Sequence, residues 1–143
     1  MAVKPIPDGY HTITPYLLIP GAAAVIEFLR RAFDATELHR MVEPSGRIAH
    51  AELRIGDSPL MLGEPPANHP SIPGMLYLYV PDVDATYQKA ISAGGQSIRE
   101  PHDEFYGDRS AAVKDSANNQ WWIATHTKDV TPQDLQQHGN ARK

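Results

Sequence analysis

Two copies of a βαβββ unit, paired into one α+β domain with a curved mixed sheet around a central cleft, is the architecture this sequence predicts. Three observations predict it. Thr14–Pro65 lies over Met75–His126 at a constant offset of 61 residues without a gap, with Tyr16 on Tyr77, Pro20 on Pro81, Glu43 on Glu104 and Gly46 on Gly107. Each half reads as a short apolar run ended by proline, a helical stretch, and three further strand-like runs. One such unit is too small to bury its own apolar face, so two pair to share a core, and the join leaves a cleft.

The elements follow in order. Ile13–Ile19 alternates as a strand and stops at Pro20-Gly21. Ala22–Phe33 is a helix with Val25, Ile26, Leu29 and Phe33 on one face. Thr36–Val42 is a strand ended by the turn Glu43-Pro44-Ser45-Gly46. Ile48–Ile55 and Ser58–Leu62 are strands joined by Gly56-Asp57, a hairpin signal. The second unit repeats this with strand Met75–Val80, helix Asp82–Ala93, and strands Gln96–Glu100, Ser110–Lys114 and Gln120–Thr125. Residues 1–126 are read as a single domain, with modules at about 10–65 and 75–126 and a proline-rich linker at 66–74. Residues 127–143 form a polar tail, in which Thr131-Pro132 with Asp134 marks a brief helix start and the last residues fray.

Composition narrows the function. A net charge of −4 without a basic stripe argues against nucleic acid. No apolar run approaches the ~20 residues of a membrane span, and the N-terminus lacks the apolar core of a signal peptide. Without cysteine there is no disulfide, thiolate site or thiol nucleophile, and a cytoplasmic location is the default expectation. Gly-rich phosphate cradles, G-x-S-x-G elbows and H-E-x-x-H spacings are also missing.

Face assignments follow from strand periodicity. Thr14, Tyr16 and Leu18 share a face, as do Met75, Tyr77 and Tyr79, leaving Leu76, Leu78 and Val80 toward the helix. A two-residue turn at Gly56-Asp57 sets Glu52 opposite Met61 and places His50, Glu52 and Arg54 on the cleft side. Trp122, Ala124 and His126 face the cleft from the second half, whereas His11 has the wrong parity. The cleft wall is thus Tyr16, Tyr77, Tyr79, Trp122, Met61 and Met75, with His50, Glu52 and His126 as its polar groups. Such a wall suits flat or irregular apolar molecules. The same aromatics also read as ordinary sheet packing, and His50 with Glu52 as a cross-strand polar pair. Tyr106-Gly107-Asp108-Arg109 reads as a turn with a fixed ion pair, or as a lid. His39, His69, His102 and His138 carry no functional case.

Thr14-Pro15-Tyr16-Leu17, Gly21-Ala22-Ala23-Ala24, Ile26-Glu27-Phe28, His50-Ala51-Glu52, Ile55-Gly56-Asp57-Ser58 and Met61-Leu62 carry a family resemblance. In the second half it rests on Asp82-Val83-Asp84-Ala85, Ala93-Gly94, Tyr106-Gly107-Asp108-Arg109 and Trp122 with Ala124-Thr125-His126. The chain resembles the vicinal oxygen chelate superfamily of glyoxalase I, extradiol dioxygenases and bleomycin-resistance proteins, and within it the PhnB-like branch. The resemblance implies a homodimer that pairs or exchanges modules. It also implies a metal held at positions that correspond to Thr14, Met61, Met75 and Trp122. None of these is His, Glu or Asp, so the usual metal site is expected to be missing, with a divalent metal conceivable only at a non-standard site such as His50, Glu52 and His126. Two readings follow. The first is metal-independent binding of a small, partly aromatic or apolar molecule in the inter-module cleft, with Thr14, Tyr16, Arg54, Met61, Met75, Tyr77, Tyr79, Trp122 and His126 as ligand residues. The second is a lyase, isomerase or dioxygenase-type enzyme on a small oxygenated substrate, with Glu52 as base and His50 orienting it.

Overall fold

Hydrophobic periodicity becomes eleven elements in a computed structural model that describes residues 2–141. The first module comprises β1 (Tyr16–Leu18), α1 (Ala22–Phe33), β2 (Thr36–Val42), β3 (Ile48–Ile55) and β4 (Ser58–Gly63). The second comprises β5 (Met75–Tyr79), α2 (Val83–Ser92), β6 (Gln96–Asp103), β7 (Asp108–Lys114) and β8 (Gln120–His126), followed by α3 (Pro132–Ala141). The curved mixed sheet comes as two four-stranded halves ordered β1-β4-β3-β2 and β5-β8-β7-β6. In each, the first strand runs parallel to the last and the other pairs are antiparallel. No helix of the described residues is long and apolar enough to cross a membrane.

The internal repeat is visible atom by atom. Tyr16 pairs with Met61 and Tyr77 with Trp122, each pair displaced by the sequence offset. Glu43 N donates to Arg47 O at 2.9 Å, and Glu104 N donates to Asp108 O at 2.7 Å. The turns between them need glycine, because Gly46 and Gly107 have φ of 92° and 96°, a region that side chains disfavour.

One core joins the modules on the helix side of both sheets. Helix α1 buries Val25, Ile26, Phe28, Leu29 and Phe33, each worth roughly 1.5–3 kcal/mol. Phe33 packs on Trp121 of β8 with ring centroids 5.6 Å apart, so the end of α1 is fixed by the other module. Trp121 is fully buried, and its indole N–H donates to Asp115 at 2.8 Å. The opposite faces of the sheets stay open. Tyr16, Tyr77, Tyr79 and Met75 remain 41–66% exposed there.

Several element boundaries differ from expectation. The first strand is Tyr16–Leu18 rather than Ile13–Ile19, because its partner carries Pro59 opposite residue 14 and Pro15 itself lacks an N–H. Ile13 is accordingly exposed. Strand β6 runs past Pro101 to Asp103, with a register irregularity between Arg99 and His102 absorbing the proline. The polar tail forms a ten-residue helix, started by reciprocal hydrogen bonds between Thr131 and Asp134 at 3.0 and 3.1 Å. The last two residues of the expected fraying end lie outside the described residues.

Candidate functional site

On the open face of the first sheet, strand register brings three polar side chains together and the N-terminal arm adds a fourth to one hydrogen-bonded run. Glu52 lies opposite Met61, as the hairpin turn predicts, and Met61 lies beside Tyr16. The Tyr10 hydroxyl donates to Glu52 Oε1. Glu52 Oε2 meets His50 Nε2 at 2.8 Å, and His50 Nδ1 meets the Tyr16 hydroxyl at 3.1 Å. A carboxylate only accepts, so His50 donates from Nε2 and its Nδ1 is left to accept from Tyr16. Tyr10, from the N-terminal arm, is absent from the sequence reading; nothing in the periodicity marks it, because it belongs to no strand.

The second sheet holds a separate cluster around Asp108. This carboxylate is 3% exposed and accepts from the Tyr77 hydroxyl at 2.8 Å and the Tyr79 hydroxyl at 3.0 Å through Oδ2. Its Oδ1 faces His126 Nδ1 at 2.9 Å, and His126 Nε2 faces Asp129 at 2.7 Å. With a carboxylate on each ring nitrogen, both nitrogens donate and the imidazolium form is favoured. Those hydrogen bonds, from Asp108 first and Asp129 second, hold the His126 pKa above its ordinary value. Burial pushes Asp108 up, but the hydrogen bonds from His126, Tyr77 and Tyr79 outweigh it and hold it below the usual carboxylate range. Burial, then Tyr106 and Asp108, push the Tyr77 phenol well above the ordinary tyrosine value.

Asp108 is the residue sequence reasoning missed, having been read as part of a turn. The turn and ion-pair reading holds for its neighbour, since Arg109 grips Asp84 with two hydrogen bonds of 2.9 and 3.0 Å. The cause of the miss is a one-residue slip between the repeats. In the first module Glu52 stands opposite Met61, but in the second Ala112, the counterpart of Ala51, stands opposite Trp122. A one-residue slip reverses the faces of a strand. Val113, the counterpart of Glu52, is therefore buried in the core, and Asp108 opposes His126 on the open face. Counting the ladder back from Lys114 and Gln120 is the signal that finds it.

The structure distributes the expected wall over two faces and a crevice. Tyr16, His50, Glu52 and Met61 are together on the first sheet, and Met75, Tyr77, Tyr79, Trp122 and His126 are on the second. His126 is bonded within its own sheet and does not join His50 and Glu52. Thr14 is half-buried, its hydroxyl donating to His11 O at 3.4 Å. At the positions that the resemblance assigns to a metal, Thr14, Met61, Met75 and Trp122 offer a hydroxyl, two thioethers and an indole, which do not fit a divalent metal. Among the described residues no group of three or more His, Asp or Glu side chains could hold a metal ion.

Between the modules lies a crevice of about 1060 Å³. Its apolar walls come from Phe33, Ile55 and Leu60 of the first module and Leu76, Leu78 and Val80 of the second, with Trp121 behind them. Arg54, Tyr77 and Tyr79, all three expected ligand residues, also line it. The volume lies just above the usual range of small-molecule sites, and the crevice is open to solvent along one side.

Similarity to known proteins agrees with this architecture. The sequence profile of the Glyoxalase/Bleomycin resistance protein/Dioxygenase superfamily matches residues 11–123. Uncharacterized proteins of Mycobacterium bovis and Mycobacterium tuberculosis are 32% identical over 135 residues, covering 87% of this chain and 89% and 79% of theirs. The fold is shared with TioX from Micromonospora sp. ML1 (TM-score 0.65, 23% identity, 82% of this chain and 98% of that one). It is also shared with a glyoxalase/bleomycin resistance protein/dioxygenase from Nocardioides (TM-score 0.63, 16% identity, 92% and 90%). With a matching profile over most of its length and the repeated βαβββ modules in place, the chain belongs to the glyoxalase/bleomycin resistance protein/dioxygenase superfamily.

Proposed function

We propose that this protein, a PhnB-like member of the superfamily, binds a small, partly aromatic or apolar molecule in the crevice between its modules, without the superfamily's usual metal ligands. The observation that carries this reading is the crevice itself, whose facing walls of aliphatic side chains are supplied by both modules. Tyr77 and Tyr79 add aromatic edges to it. A neutral fluorescent probe, N-phenyl-1-naphthylamine, should bind saturably near one equivalent per chain. Leu78→Gln should weaken that binding at least about ten-fold, since it puts an amide where apolar surface is buried. Absence of saturable binding, or indifference to Leu78→Gln, would overturn the reading.

Assembly as a homodimer is part of the proposal, as is a cytoplasmic location. Strands β1 and β5 are sheet edges with no ladder between them. A second copy laid along these edges would cover the exposed Met75, Tyr77 and Tyr79. Light scattering that returned a monomer at micromolar concentration would remove the dimer from the model of action.

A second reading rests on the run Tyr10–Glu52–His50–Tyr16. On this reading Glu52, hydrogen-bonded to His50, takes a proton from carbon next to a carbonyl and returns it, as in an isomerase or lyase. Deuterium exchange into a small α-hydroxyketone, followed by NMR, should then be catalysed by the native protein and lost in Glu52→Gln. Equal exchange by both proteins would dismiss Glu52 as a base.

A further inference from the structure

Arg54 occupies an unusual position among the charged groups. Every other described arginine donates to a carboxylate or, for Arg31, to the Ser92 carbonyl. Arg54 makes no hydrogen bond or ion pair with any described residue, yet it is half-buried and lines the crevice. Its place is fixed on both sides. In the ladder it sits between Thr36 and Pro59, and Gly9 of the N-terminal arm lies so close that a Cβ there would be 3.2 Å from Nη2. A guanidinium carries five N–H donors in a rigid fork matched to a carboxylate. Half-buried without a protein acceptor, it is preorganised for an acceptor brought by a ligand.

The other charges at the crevice set the charge of that ligand. Lys89 is closed by its ion pair with Asp34 at 2.9 Å, and Asp57 at the hairpin tip is exposed. Arg54 and Lys89 against Asp34 and Asp57 sum to zero, so no net field exists to hold a polyanion such as a nucleotide. One free fork lines the same crevice as the apolar walls.

We infer that the crevice takes an amphiphilic monocarboxylate, its apolar body against Ile55, Leu76 and Leu78 and its carboxylate on the Arg54 guanidinium. This names the ligand class of the crevice and rests on its being the binding site. The probes are 2-naphthoate and its neutral isostere 2-naphthamide, titrated into the full-length protein by calorimetry. A charge-assisted hydrogen-bonded pair makes naphthoate bind about ten- to a hundred-fold tighter than naphthamide. Arg54→Gln should weaken naphthoate to the level of naphthamide and leave naphthamide unchanged, and Arg54→Lys should fall between because it keeps the charge and loses the fork. The side chain makes no hydrogen bond or ion pair with a described residue, so these variants keep the fold, which circular dichroism checks. If both probes bind equally to native protein, or Arg54→Gln weakens both alike, the carboxylate assignment is overturned while the crevice stands. If neither binds, the crevice reading falls with it.

Discussion

Asp108 and His126 stand directly opposite one another across the β7–β8 ladder, and their side chains meet at 2.9 Å on the open face of the second sheet. The same carboxylate takes the two hydroxyls of Tyr77 and Tyr79, so one buried acid organises three residues that the sequence marks as ligand candidates. Its consequences are measurable.

The first concerns pH. His126 has a raised folded pKa, so its stabilising contribution is whole below the ordinary imidazole value of 6.5 and is lost as pH rises through the folded value. Asp108 has a lowered one, so its contribution is whole above 3.8 and is lost as pH falls through the folded value. The pair is complete between those limits. The Tm difference between native protein and His126→Gln should therefore be larger at pH 5.5 than at pH 9, by scanning calorimetry. A difference that grew toward alkaline pH would contradict the assignment.

Asp108→Asn should lower the Tyr77 and Tyr79 phenol pKa values, because the negative acceptor beside them is one of the causes that hold both up. Tyrosinate absorbance in an alkaline titration reads this directly. The same change should cost about 1–3 kcal/mol in urea unfolding, since it disturbs a buried, multiply bonded acceptor.

Adjacent tryptophans should behave in opposite ways. Trp121 is fully buried against Phe33 and bonded to Asp115, so Trp121→Ala should cost roughly 3–5 kcal/mol or prevent folding. Trp122 points to the open face, where its N–H reaches only Gln120 at 3.2 Å. Trp122→Ala should leave the urea midpoint much closer to native.

The repeat-related glycines offer a matched test. Gly46→Ala and Gly107→Ala both pay for a left-handed backbone, about 1–2 kcal/mol. Space is open around Gly46, but a Cβ at Gly107 would collide with the Lys128 carbonyl. Gly107→Ala should therefore be the more destabilising, by differential urea unfolding.

Most of the fold was legible in the sequence because apolar periodicity and turn residues act locally. Helix Ala22–Phe33 and strands Thr36–Val42 and Ile48–Ile55 fall at the expected residues. The Gly56-Asp57 turn fixes the first hairpin, and with it the facing of Glu52 and Met61. What escaped was set by distant geometry. Tyr10 reaches Glu52 across 42 residues from an arm without regular structure. Asp108 depends on where the β7–β8 ladder closes, and Arg54 stands out only once every other described arginine has found its partner.

That closure carries a wider lesson about how such duplicated chains diverge. The hairpin ladder closes over two residues in the first module, between Ile55 and Ser58, and over five in the second, between Lys114 and Gln120. An odd change in length turns a strand over, exchanging its lining side chains for its packing side chains in a single event. An even change preserves both. The two halves align without a gap, so the longer turn of the second is drawn from its own strands: parity of the pairing register, more than insertion, gives each half of a once-symmetric protein its own surface chemistry, here Glu52 and His50 in one half, Asp108 and His126 in the other.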